Sequence, residues 1–122
     1  MADIFQVDGT VPLLDAPFLR ALSEDLGAGG AIEAARIFLE DAPPRITRMR
    51  QGDAIVRRES HGLAGSALAV GLVRLGEAAS ALQRAVEGTT ATDPAAAKHL
   101  EVLLLQSMAA LEAWVATQTA LT

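Results

Sequence analysis

The chain has 122 residues, 51% of them hydrophobic, which is the size and composition of one domain with a substantial core. Its formal net charge of −5 argues against a nucleic-acid binder, and the lack of cysteine excludes disulfides and thiolate metal sites. No apolar run approaches the roughly 20 residues of a membrane span, and the N-terminus lacks a secretory pattern. We therefore expect a cytoplasmic protein that binds neither membrane nor nucleic acid, with a composition typical of a GC-rich bacterial genome.

The N-terminal part of the chain predicts an arm followed by a short helix. Residues 1–14 show no helical periodicity, so we expect an extended arm there and a single domain over residues 15–122. Asp15 is a suitable N-cap, and Pro17 is tolerated in the first helical turn. The helix that begins there is expected to end at Leu26, where a cluster of glycines follows.

Four longer helices are predicted after this glycine cluster. The first begins near Ala31, and Pro43 and Pro44 predict a kink or short break near Ala42, because proline lacks the N–H of a helical hydrogen bond. The other three are predicted over residues 54–70, 72–86 and 94–119.

The apolar residues of these helices recur at spacings of three and four, which is typical of helical bundles. No alternating apolar and polar pattern indicates a strand. The short connections imply antiparallel neighbours. We therefore predict an all-α fold, namely an antiparallel up-down-up-down four-helix bundle with an additional short N-terminal helix.

A histidine between glycines is the most informative feature of the sequence. At 3.6 residues per turn, the apolar stripe of its helix lies nearly opposite His61, so the ring is expected to face solvent. Gly65 lies one turn further on the same face, although glycine costs a helix about 1 kcal/mol relative to alanine. We infer that Gly65 leaves room for another macromolecule to approach His61.

This segment resembles the signature of the histidine-containing phosphotransfer (HPt) domain, the four-helix-bundle intermediate of two-component phosphorelays. The matching residues are His61, Leu63, Gly65, Ser66, Gly71 and Leu75. Residues 38–46 also resemble the family's second helix, and the resemblance extends from about Asp15 to the last helix. Two positions depart from the family pattern, because Ala64 replaces a lysine and Ala67 replaces a serine.

The resemblance implies that His61 is the phosphoacceptor, with Nε2 as the attacking atom. Gln83 lies where the family places a Gln or Glu that binds the other ring nitrogen. We expect Gln83, Gly65 and Ser66 to orient or support His61. An ordinary exposed glutamine is the alternative interpretation of Gln83, and a hydrogen bond to backbone is the expected role of the Ser66 hydroxyl.

Two further sets of residues are predicted around His61. Because phosphoryl transfer needs positive charge near the phosphate, we hypothesise that Arg58, or alternatively Arg84, partly replaces the missing lysine. Ala64, Leu68 and Leu72 are expected to form an apolar patch on which a partner docks. The alternatives are that the arginines belong to a solvated face, and that the patch is a helix edge covered by a neighbouring helix.

The resemblance implies a monomeric phosphocarrier rather than an enzyme, since no nucleotide-binding motif is present. It would accept a phosphoryl group on His61 from a receiver-domain aspartate, or from a kinase, and pass it to another response-regulator receiver. The expected partners are receiver domains of response regulators and of hybrid histidine kinases. No cofactor or metal site is expected on this chain, and Mg²⁺ is expected on the partner receiver. The alternatives are a non-phosphorylated adaptor of HPt fold and a helical bundle with a fortuitous motif.

Overall fold

A computed structural model describes residues 11–87 and 93–121 of the chain. Over these residues the protein is all-helical, with four α-helices and no strand, which confirms the predicted all-α class. The helices are α1 (Ala16–Met49), α2 (Asp53–Ala69), α3 (Val73–Glu87) and α4 (Pro94–Leu121). Each end of α2, α3 and α4 lies within two residues of its predicted position. The first ten residues of the predicted arm lie outside the described residues.

Helix α1 spans both helices that were predicted at the N-terminal side, and the two helical parts meet at a kink at Gly27. Asp15 caps its start, because the carboxylate accepts a hydrogen bond of 3.0 Å from the backbone N–H of Phe18. The predicted boundary is reduced to one non-helical residue, Gly27, with φ 79° and ψ 157°. The buried residues Ala31 and Ile32 follow closely, and their packing holds the chain in helical geometry directly after this kink.

The predicted break at the two prolines is not found. Helix α1 passes through Pro43 and Pro44, and Gly27 is its only residue with non-helical backbone angles. Both prolines are exposed, so the carbonyl groups that lose a partner one turn earlier can reach water. Ala42 and Ile46, on either side of them, are buried and keep the helix against the core.

The core lies between the four helices and is built from aliphatic side chains. Helix α2 packs on α1 and α3, and α4 also packs on α1 and α3. Among the described residues, no close backbone approach joins α2 to α4. The large apolar side chains that are almost completely buried are Leu19, Leu63, Leu72, Leu75, Leu82, Val86, Leu100, Leu104 and Leu111.

The end of α2 is fixed by Gly71, which also contacts the start of α1. Gly71 has a φ of 78°, and its N–H donates to the carbonyl of Leu68 at 3.2 Å. The N–H of Leu72 donates to the carbonyl of Ala67 at 2.9 Å, which completes a Schellman motif. The carbonyl of Gly71 accepts a hydrogen bond of 2.8 Å from the N–H of Asp15, so the α2–α3 turn holds the N-cap residue of α1.

Glu59 joins α1 to α2 through two arginines and is only 6% exposed. Its carboxylate accepts hydrogen bonds from Arg45 at 3.1 Å and from both Nε and Nη2 of Arg48. The hydrogen bond from Arg48 is the main reason why the pKa of Glu59 lies below its ordinary value, and burial opposes this shift. The ionised Glu59 carboxylate therefore stabilises the fold at pH values above 4.5, the ordinary pKa of a glutamate carboxyl group. This stabilisation is lost as the pH falls through the lower pKa that Glu59 has in the folded protein.

Replacing Glu59 with glutamine is expected to reduce the free energy of unfolding at neutral pH by about 1 kcal/mol. The loss is modest because both guanidinium groups retain contact with water. Denaturant melts between pH 3 and 7 should show a weaker acid dependence for Glu59→Gln than for the natural chain. Glu77→Gln, at an exposed position on α3, is the control and should leave the acid dependence unchanged. Equal acid dependence in all three proteins would contradict the role given to Glu59.

Helix α4 is long and apolar enough to cross a membrane, with a mean hydropathy of 1.3 over its best 18-residue window. The expectation that no such run exists is therefore wrong for this helix. Within the described structure, 28% of this 18-residue window is buried. The buried side of α4 carries Leu100, Leu104 and Leu111, which belong to the core. A core helix of a soluble protein passes the same test, so α4 alone is weak evidence for a membrane span.

Candidate functional site

His61 lies on the exposed side of α2, beside α3. Its Nδ1 is 3.4 Å from Oε1 of Gln83, at the long end of hydrogen-bond distance. Seven residues further along α2, Leu68 lies over Gly76, where an added Cβ would be 2.6 Å from the leucine Cγ. Seven residues also separate Gly76 from Gln83 on α3. The register between the two helices thus brings Gln83 to His61.

The contact with Gln83 determines what the imidazole can do. Because an amide oxygen only accepts hydrogen bonds, this contact favours the tautomer of His61 in which Nδ1 carries the proton. In a neutral ring, Nε2 then keeps its lone pair. A neutral imidazole with this tautomer is a nucleophile at near-neutral pH.

The two glycines near His61 differ in what surrounds them. At Gly62, an added Cβ would collide with the guanidinium of Arg45, which comes from α1 and lies over the helix at this point. At Gly65, an added Cβ would meet no atom within 4 Å. A side chain at position 62 would therefore have to displace the end of the Arg45 side chain, whereas one at position 65 would displace no atom of the described structure. Arg45 was not predicted as a neighbour of the site, and the glycine at position 62 was the only signal in the sequence that pointed to it.

Replacing Gly65 with alanine is expected to raise the free energy of unfolding by about 0.5–1 kcal/mol, because the helix gains a better helix former without a clash. If Gly65 gives a partner access to His61, the same change should slow phosphoryl transfer. Denaturant melts and a transfer assay on Gly65→Ala measure the two effects. A stabilised protein that transfers at the natural rate would show that Gly65 has no role in access.

The predicted apolar patch around His61 is smaller than expected. Leu72 is fully buried, because it follows Gly71 in the Schellman motif and its side chain turns back onto the helix. Ala64 is 6% exposed and faces α3. Neither can offer much surface to a partner, so the prediction is wrong for these two residues. Leu68 remains, with 44% of its surface exposed.

Ser66 lies apart from the pair formed by His61 and Gln83. It is half-buried and lines a groove between α1 and α2, together with Phe38 and Arg45 of α1. His61 contacts α3 on the other side of the helix, so the structure does not bring Ser66 to the imidazole.

The predicted cations are exposed and lie on two helices. Arg58 precedes His61 by one turn of α2, and Arg84 directly follows Gln83 on α3. Arg57, also exposed, lies four residues before His61 and so shares its helical face. In the part of the chain that the structure describes, no group of three or more His, Asp and Glu side chains could hold a metal ion.

Comparison with known families identifies the fold that carries this histidine. Residues 33–114, more than half of the chain, match the Hpt domain. The chain belongs to the Hpt family. The resemblance inferred from the sequence is therefore confirmed. No match was found among curated proteins or among solved structures.

Membership of the Hpt family gives the general chemistry of this fold. Hpt domains are phosphocarriers of phosphorelays, and they interact with receiver domains and histidine kinases. The matched region of this Hpt domain contains His61, Gln83 and Arg45, while the first half of α1 lies outside it. The family thus places the exposed imidazole in a fold that carries phosphoryl groups on histidine.

Proposed function

We propose that this Hpt domain is a phosphorelay intermediate. His61 accepts a phosphoryl group from a receiver-domain aspartate, or from a histidine kinase, and passes it to another response-regulator receiver. The observation that carries the proposal is the exposed imidazole whose Nδ1 faces the amide oxygen of Gln83. This contact favours the tautomer in which Nε2 is free to attack phosphorus.

In the proposed reaction, the Nε2 lone pair of His61 attacks the phosphorus of an aspartyl phosphate. The N–P bond forms as the bond from phosphorus to the carboxylate oxygen breaks, and the aspartate leaves as a free carboxylate. The positive charge that develops on the ring is stabilised at Nδ1, whose N–H donates to Gln83. Transfer to the next receiver is the reverse of this reaction with a different aspartate.

We propose that most of the charge on the moving phosphoryl group is balanced by the partner. Mg²⁺ belongs to the partner receiver, and this chain contributes Arg58 or Arg84 from exposed positions on either side of His61. The exposed part of Leu68 is the proposed apolar contact for docking. This chain would thus supply the nucleophile and its orientation, and little of the remaining chemistry.

We also propose that residues 15–122 form one antiparallel up-down-up-down bundle and that it works in the cytoplasm. Contacts at matching distances along adjacent helices support this arrangement. Helix α2 contacts α3 through His61 and Gln83, and again through Leu68 and Gly76, so the residue numbers rise along α2 as they fall along α3. Helix α1 contacts α2 through Arg45 and Glu59. Arg50 and Glu101 form an ion pair between the end of α1 and the first part of α4.

The experiment that tests the function is incubation of the full chain with a receiver domain labelled on its aspartate. A phosphorelay intermediate becomes labelled on histidine, and this phosphoramidate is lost in acid but is stable in base. A second candidate function, a non-phosphorylated adaptor, is favoured by the alanine at position 64, where the family has lysine. An adaptor would bind receivers without taking up label, and a bundle with a fortuitous motif would do neither.

A further inference from the structure

The outward face of α4 carries apolar residues that no other part of the described structure covers. Val102 is 45% exposed and Leu105 is 61% exposed. Ala109, Ala113 and Ala116 are also exposed and continue the same face toward the end of the helix. At 100° per residue these five positions lie within about 80° of one another.

Two charged residues lie at equal distances from Leu105 on this face. Lys98 is seven residues before it and Glu112 is seven residues after it. Because seven residues are close to two helical turns, the three positions lie within about 40° of one another. Along the helix axis, the face is thus apolar at its centre, with a positive charge toward the N-terminal end of α4 and a negative charge toward its C-terminal end.

We propose that α4 pairs with α4 of a second copy of this chain, in an antiparallel arrangement with the two-fold axis at Leu105. A two-fold axis there places Lys98 of each copy opposite Glu112 of the other, which gives two ion pairs around two contacting leucines. A parallel pairing in register would instead place Lys98 against Lys98 and Glu112 against Glu112. The charge pattern therefore selects both the second copy as occupant and its direction.

The present contacts of Lys98 do not oppose this pairing. Its ammonium lies 3.2 Å from Glu101 in an exposed pair three residues apart, and such pairs contribute little to stability. Exchanging this contact for Glu112 of the second copy costs correspondingly little. The small side chains at Ala109 and Ala113 allow the two helix axes to approach closely.

The dimer would leave the phosphotransfer site open. Helix α4 packs on α1 and α3, as does α2, and α2 and α4 make no close backbone approach to each other in the described parts of the chain. The outward faces of α2 and α4 therefore point in opposite directions. His61 of each copy remains accessible to a receiver. The proposed dimer does not depend on the proposed function, and it differs from the monomer expected from the sequence.

The strength of the dimer is limited by its size. A pair of single helices buries less than the roughly 800 Å² per partner of a standard stable interface. We therefore expect a dissociation constant in the micromolar range, with monomer and dimer in exchange. Sedimentation velocity of the full chain from micromolar to millimolar concentration should show this equilibrium. A monomer throughout this range would overturn the proposal.

Leu105→Glu is the first variant to test, because it places two like charges at the two-fold axis. It should raise the dissociation constant by about a hundredfold, corresponding to the loss of two apolar contacts and the gain of a repulsion. Leu26→Glu is the matched control, since Leu26 is 57% exposed on α1, and it should leave the dimer intact. A dimer that survives Leu105→Glu, or that is lost in Leu26→Glu, would place the interface elsewhere.

A charge exchange tests the antiparallel direction. Lys98→Glu and Glu112→Lys, each alone, should weaken self-association by about tenfold, because each creates two pairs of like charges. An equimolar mixture of the two variants should restore association, since every pair in the mixed dimer then joins opposite charges. Failure of the mixture to associate would exclude the antiparallel register.

Two further measurements separate this proposal from the alternatives. The chain has no cysteine, so Leu105→Cys should form a disulfide-linked dimer through that residue alone, whereas Leu26→Cys should not.

Flotation with vesicles of anionic and zwitterionic phospholipid tests the membrane as occupant of the same face. Vesicle binding that Leu105→Glu abolishes, in a chain that stays monomeric, would assign the face to lipid and overturn the dimer. Circular dichroism of each variant establishes that it is folded.

Discussion

Replacing His61 with glutamine is expected to abolish phosphorylation of the protein by a labelled receiver domain. Glutamine lacks a nucleophilic ring nitrogen, so no N–P bond can form at this position. The fold should be retained, because the His61 side chain is exposed and makes only the long hydrogen bond to Gln83 within residues 11–87 and 93–121. Label incorporation measures the first effect, and a thermal melt followed by circular dichroism measures the second.

His99 provides the matched control for this experiment. It is the other histidine of the chain and lies exposed on α4, far along the sequence from the site. His99→Gln should be labelled as the natural chain is. If His61→Gln still accepted label, or if His99→Gln lost it, His61 could not be the phosphoacceptor.

Replacing Gly71 with valine is expected to destabilise the protein by about 3 kcal/mol, a large part of the 5–15 kcal/mol that holds a typical domain folded. The φ of 78° costs a residue with a side chain about 1–2 kcal/mol, and more if it is β-branched. A Cβ would also lie 3.1 Å from Cδ1 of Phe18 and 3.3 Å from the carbonyl oxygen of Asp15. Either the Schellman turn or the start of α1 must therefore move.

Chemical denaturation of Gly71→Val and Gly71→Ala measures this cost, with the alanine variant expected to lose less. Gly29→Ala is the control, because Gly29 has helical backbone angles and an added Cβ there meets nothing within 4 Å. That variant should be more stable than the natural chain by up to about 1 kcal/mol. A Gly71→Val protein as stable as the natural one would show that the turn is not constrained as described.

The helices and the position of His61 could be predicted because both depend on local sequence. Apolar spacing sets the faces of α2, α3 and α4, and their bounds follow from caps and glycines. The contact of His61 with Gln83 was expected from the resemblance, and it arises because the register of α2 and α3 is fixed by the buried stripes of both helices.

The errors concern features that depend on neighbouring helices. Leu72 was assigned to the surface because the local pattern does not reveal that the Gly71 turn folds it inward. The Pro43 and Pro44 break was predicted from the helix alone, but packing against α2 and α4 holds α1 together. Arg45 could not be placed over Gly62 without knowing how α1 and α2 meet.

The Gln83 contact has a consequence for the order of events in the proposed relay. Because Nδ1 of His61 is engaged with α3, both the arrival and the departure of the phosphoryl group must use Nε2. A donor and an acceptor then compete for one point of entry and cannot occupy it together. Turnover through this protein would follow ping-pong kinetics, and an excess of either dephosphorylated partner would inhibit it by blocking the other.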